Sequence, residues 1–158
     1  MLGRPDPETR MTNPVVDATA PPAYGFGCEI QAADPAQAVA RVTAALQAEG
    51  FGVLTQIDVQ ATLKAKLGIA HRPYLILGAC NPALAHRALQ AEPDIGLLLP
   101  CNVVVREAAE GRWDVVFMDP VAVLRLTDND EVGRLAHEVR ERLQRIGTRL
   151  TQPAARPV

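Results

Sequence analysis

The stretch Tyr74–Glu107, YLILGACNPALAHRALQAEPDIGLLLPCNVVVRE, decides how the rest of the chain is read. Its opening apolar run, Tyr74 to Ala79, has the length of a buried central strand. The run stops at Cys80-Asn81-Pro82, where Asn81 can cap a helix and Pro82 can take the first helical position, where its missing N–H costs nothing. Leu84, Ala85, Ala88 and Leu89 fall on one side of that helix, which Pro93 breaks. A second apolar run then passes through Pro100-Cys101. Read as one continuous strand, residues 96–107 place Leu97, Leu99, Cys101, Val103 and Val105 on one face and Leu98, Asn102, Val104 and Arg106 on the other. Pro100 donates no ladder hydrogen bond, so the strand is expected to lie at an edge there or to carry a bulge.

Upstream, Tyr24, Phe26, Cys28 and Ile30 alternate with polar residues and glycines, which is a strand with one buried face and Cys28 pointing inward. Asp34-Pro35 starts a helix carrying Val39, Val42 and Leu46, and Gly50 takes the left-handed position that ends it. Phe51, Val53, Thr55 and Ile57 alternate in a second strand, and a short helix is expected over Val59–Leu67. Residues 68–73, with His71 and Arg72, then form a loop into Tyr74.

Downstream, Ala108–Gly111 reads as a hairpin turn into a strand in which Trp113, Val115 and Phe117 share a face. The last helix is expected to start at a capping box, Thr127 with Asp130 or Asp128 with Glu131. Val132, Leu135, Ala136, Val139, Leu143, Ile146 and Leu150 make its apolar stripe, and Glu138 and Glu141 precede Arg142 and Arg145 by four residues. The order β-α-β-(α)-β-α-β-β-α is an α+β arrangement in two layers, sheet and helices. The helices suffice for one sheet face. The other would hold Leu54, Gln56, Leu98, Asn102, Val104, Arg106, Val116 and Met118, a mixture too apolar for plain exposure. Leu98, Val104, Val116 and Met118 are therefore expected to contribute to a homodimer interface.

The 158 residues are 48% hydrophobic and 22% charged, which suits a single domain, assigned here to residues 23–150. Residues 1–22 hold five prolines and no apolar period and read as a disordered tail, and residues 151–158 as a second tail. The net charge of −2 speaks against nucleic acid and anionic membrane surfaces as partners. With no apolar run long enough to cross a bilayer and only three scattered cysteines, a cytoplasmic protein is expected. The chain contains no serine, so Ser-His-Asp catalysis in its usual form is excluded.

Gly50-Phe51-Gly52-Val53-Leu54, Leu77-Gly78-Ala79-Cys80-Asn81-Pro82, Leu99-Pro100-Cys101-Asn102-Val103-Val104-Val105 and Met118-Asp119-Pro120, in this order, resemble the bacterial and archaeal domain of unknown function 302 family. The resemblance spans about Tyr24 to Leu150. It implies a small α+β fold with a TATA-binding-protein-like arrangement and a homodimer, and it brings no reaction or cofactor with it.

Among side chains that carry chemistry, Cys80 leads, because it lies just ahead of a helix N-terminus, where free amides and the dipole stabilise a thiolate. A right-handed crossover would bring the ends of the strands 74–79 and 95–99 to one sheet edge, and Cys101 with them. Cys80 and Cys101, with Asn81 and Asn102 beside them, thus form a candidate thiol site for thiol redox, sulfur handling or metal binding. His71 or His86 would join the sulfurs around a soft metal such as zinc or copper. The competing reading keeps the cysteines as small core residues and assigns the function to the open sheet face, as a structural or regulatory interaction domain. An enzyme acting on a small ligand beside Asn81 and Asn102 has no motif in its favour.

Overall fold

A computed structural model describes residues 21–152. Most of the expected N-terminal tail, and the C-terminal tail beyond Gln152, lie outside the described residues. Five strands, β1 (Gly25–Gln31), β2 (Gly52–Asp58), β3 (Tyr74–Cys80), β4 (Cys101–Ala109) and β5 (Arg112–Met118), form one antiparallel sheet in the order β1-β5-β4-β3-β2. Helices α1 (Pro35–Ala48), α2 (Val59–Leu67), α3 (Pro82–Ala91), α4 (Pro120–Leu124) and α5 (Asp130–Thr151) fill the connections and the C-terminal end. The fold is a two-layer α+β domain, as the sequence pattern predicts.

The core lies between one sheet face and the helices. Val103 and Val105 of β4, Trp113, Val115 and Phe117 of β5 and Leu77 of β3 are buried against Val42 and Leu46 of α1 and Val132, Leu135, Leu143 and Ile146 of α5. Each such side chain contributes about 1.5–3 kcal/mol when fully buried. Trp113 keeps its indole N–H satisfied at 3.1 Å from the Ala32 carbonyl, so its polar atom costs nothing inside.

The helix starts follow their caps. Asp34, Asp58, Asn81 and Asp119 each accept a backbone N–H in the first turn of α1, α2, α3 and α4. The start of α5 differs from both expected capping boxes. Asn129 is the cap, accepting from Glu131 and Val132, while Asp128 sits in the left-handed region at φ 50° and so cannot present its side chain as an extended cap residue does. The short helix α4 was not expected at all; Met118-Asp119-Pro120 carried its cap and its first-turn proline.

Three further expectations are corrected. Residues 96–107 are not one strand, because Pro93–Leu98 winds into a 3-10 turn and β4 begins only at Cys101. Leu97 is therefore 88% exposed, and Leu98 packs against the core instead of lying on the open face. No parallel crossover exists either. Helix α3 and the turn bring the chain back to the end of the sheet it had just left, so β4 must run antiparallel to β3, with Ala79 opposite Cys101. Finally, β2 breaks its alternation with a bulge between Val53 and Thr55. Beyond the bulge the parity is reversed: Thr55 and Ile57 stand opposite Gly78 and Ile76 on the open face, and Gln56 stands opposite Leu77 on the helix side. Leu54, at the bulge, is 66% exposed.

Candidate functional site

Cys80 ends β3 and Cys101 begins β4, so the two lie at the same end of the sheet on neighbouring strands. Their side chains take different faces. Cys101 is paired with Ala79 and points with Val103 and Val105 into the core, whereas Cys80, one residue on from Ala79, follows Gly78 and Ile76 towards the open face. Both are free thiols. They are close enough for charge on Cys80 to act on Cys101, whose thiol is pushed up to about 12 by burial first and by Cys80 second.

Cys80 is half-buried, and burial raises its thiol above the ordinary value. Burial thus opposes the thiolate stabilisation expected from the helix α3 amides. The N-cap of α3 is Asn81, whose Oδ1 accepts the Leu84 N–H at 3.2 Å, and Cys80 stands one residue outside the cap. Across the β2 pairing Cys80 faces Gly52, where a Cβ would meet nothing within 4 Å, so the thiol has room beside it. Cys28, on β1, is more deeply buried, and its thiol is pushed up to about 11, mainly by desolvation.

The structure does not bring His71 to the cysteines. It precedes Tyr74 at the opposite end of β3, about 20 Å of strand from Cys80. There its Nδ1 is 2.7 Å from the Arg72 carbonyl oxygen and its ring lies edge-on to Tyr74, with 6.0 Å between centroids. His86 and His137 are exposed on α3 and α5. Among the described residues no three His, Cys, Asp or Glu side chains gather closely enough to hold a metal ion. Asn102 is exposed on the open face, and Asn81 caps α3.

The open face has a clear order once the registers are followed across the sheet. A central apolar row runs Ile57, Ile76, Val104, Val116, ending at Gly27. On one side of it lies a polar row, Tyr74, Arg106, Asp114 and Glu29, in which Arg106 Nε donates to Asp114 Oδ2 at 3.2 Å. On the other lie Thr55, Gly78 and Asn102, then Met118 and Gly25. Gly78 is required there, because a Cβ would run into the Thr55 side chain and stand 2.8 Å from Pro100 Cγ. Sequence reasoning found Val104 and Val116 but missed Ile57 and Ile76. The bulge that exposes Ile57 leaves no composition signal, and Ile76 was hidden in a run that reads as buried on both faces.

No helix among the described residues is long and apolar enough to cross a membrane. No curated protein matches the chain. Among solved structures, an uncharacterized conserved DUF302 protein from Bacillus stearothermophilus matches with a TM-score of 0.74 and 26% identity, over 82% of this chain and 99% of that one. The family model for the domain of unknown function DUF302 matches residues 26–150, which takes in all five strands except the first residue of β1, and every helix but the last residue of α5. The chain belongs to the DUF302 family.

Proposed function

We propose that this chain is an interaction domain that forms a homodimer through its open sheet face. The observation that carries the reading is the central row Ile57, Ile76, Val104 and Val116, four β-branched side chains side by side across four strands on the face opposite the α1 and α5 core. Such a row is a self-complementary surface of the kind a two-fold contact uses. Tyr74 and the Arg106–Asp114 pair border it on one side, where a polar rim would fix the orientation of the two copies. Helix α2 buries none of its own residues and leaves Leu67 65% exposed, so it adds apolar surface outside the core.

Sedimentation tests the reading. The chain is expected to sediment as an associated species at tens of micromolar. Val104→Asp is expected to weaken the face contact at least a hundredfold, since burying an unpaired carboxylate costs about 3 kcal/mol or more. An unchanged association constant in that variant would remove the face from consideration.

A second reading is favoured by one observation, the place of Cys80 at the end of β3 beside Cys101 at the start of β4. It makes these two residues a dithiol for redox or sulfur chemistry, with Cys80 the accessible partner. Two sulfurs alone are an incomplete ligand set for zinc or copper, so metal binding would need a ligand from elsewhere. Mass spectrometry after mild oxidation decides it: an intramolecular Cys80–Cys101 bond supports the dithiol, and its absence leaves Cys101 a core residue and Cys80 a lone thiol on the open face.

A further inference from the structure

Strand β2 is an edge of the sheet, exposed over most of its length. Among the described residues no strand lies on its outer side, and five of its seven residues, Leu54–Asp58, are exposed. Leu54 is 66% and Ile57 50% exposed, and the run Gly52–Ile57 contains no charge and no proline. On its helix side an open groove of about 680 Å³ separates it from α1, lined by Ala36, Val39, Ala40, Thr43, Gln47 and Gln56 among others. The other edge is different. On β1, Glu29 pairs with Arg112 at 3.5 Å, and Arg41 donates to the Gln31 carbonyl, so charge and a capped carbonyl blunt it. An unblunted, uncharged edge presents a row of free N–H and C=O groups, and the ligand such a row recognises is another extended strand.

We propose that β2 pairs antiparallel with β2 of a second copy, making one ten-stranded sheet across a two-fold axis. The bulge at Leu54 leaves Thr55–Asp58 as the regular part of the strand. A two-fold axis perpendicular to the sheet keeps both helix layers on one side only if it passes through a residue, so that like faces meet. Gln56 is that residue. Its amide both donates and accepts, so the two copies satisfy each other on the helix side, where the two α1 grooves merge into one channel. On the open face Thr55 then stands opposite Ile57 of the other copy, so each isoleucine packs on a threonine methyl across the axis. A foreign strand would fill the edge equally by hydrogen bonding. The second copy is favoured because Gln56 meets its own amide at the axis, and because the run Gly52–Ile57 brings no charge that would repel its copy.

This contact is separate from the open-face contact, and sedimentation of the full chain with two variants resolves them. With both contacts present the chain assembles beyond a dimer, and either Val104→Asp or Gln56→Lys reduces it to a dimer, while the double variant is a monomer. Gln56→Lys is exposed and sets two ammonium groups against each other at the axis without touching the core. If Gln56→Lys leaves the mass of both the parent chain and Val104→Asp unchanged, the β2 pairing is wrong and the face reading is untouched. If Gln56→Lys alone yields a monomer, the pairing stands and the face reading falls. Gln56→Cys in a Cys80→Ala background supplies the geometric check, because directly opposed residues bring their Cβ atoms to about 5 Å. A disulfide-linked dimer through residue 56 is expected under mild oxidation, and its absence overturns the proposed register.

Discussion

Cys80 and Gly78 share the open-face side of β3, and each sets a limit on what this end of the sheet tolerates. At Gly78 the space a Cβ needs is taken by Thr55 and by Pro100, neither of which can swing away as a long side chain would. Gly78→Ala is expected to cost about 1–3 kcal/mol of stability, the usual range for forcing an extra carbon into packed structure, measured as a lower urea midpoint. A neutral result would mean that β2 shifts outward, which an edge strand with few buried contacts can do. At Cys80 the determining effect is burial. Because burial raises the thiol, the thiolate fraction at neutral pH lies below that of a free cysteine, and alkylation should be slow at pH 7 and accelerate as pH rises past the ordinary thiol value of 9.0. Among the three thiols Cys80 should react first and Cys101 last, since Cys101 is buried in the core. Site-resolved alkylation rates test the order, and a Cys80 that outpaces a free thiol at neutral pH would show that the helix α3 amides dominate after all.

At the scale of elements, the caps show which signals are local enough to be read. Asn81, Asp34 and the α1 stop at Gly50, whose φ is 82°, were legible because each depends on a residue type and its immediate neighbours. The start of α5 was misplaced because five polar residues in a row, Thr127–Glu131, offer several caps. Which one wins is set by a tertiary contact: Asn129 also donates its side-chain amide to the Ala91 carbonyl at the end of α3. Asn129→Ala removes that bond together with both cap bonds, and a loss of about 1–2 kcal/mol is expected by thermal or urea unfolding; a loss near zero would mean Asp128 or Asp130 takes over the cap. The α+β order and the core stripes of α1, α5 and β5 were legible for the same reason, as each is a period within one element. The bulge of β2 and the direction of β4 were not, since both are decisions between strands. The candidate site suffered accordingly. Reading β3 and β4 as parallel happened to bring Cys80 and Cys101 to one end, but only the antiparallel register shows that they take opposite faces.

Across the whole molecule, the helix layer is held to itself by carboxylates that α5 shares with its neighbours. Glu49, at the end of α1, receives Arg145 at 3.0 Å and Arg149 at 3.4 Å, while Glu131 joins Arg134 at 2.7 Å to Arg87 of α3 at 3.3 Å. Those guanidinium groups hold both carboxyls below the ordinary 4.5, by hydrogen bonding first in each case. A carboxyl whose folded value is depressed binds its proton more weakly in the native state than in the unfolded one. Its contribution is therefore complete above the ordinary carboxylate range and is lost as pH falls through 4.5 and below. The arginines are half exposed or more, so salt screens the pairs and each contributes little, although the Glu49 side chain itself is only 10% exposed. The expected outcome is a midpoint of thermal unfolding that stays level from neutral pH down to about 5 and declines below it, with a shallower decline in high salt. Glu49→Gln should lower the neutral plateau slightly and flatten the acid limb, because the variant has no proton left to take up at the α1–α5 junction. An acid limb that keeps its full slope in Glu49→Gln would place the titrating group elsewhere and reduce the arginine cluster of α5 to a solvated surface.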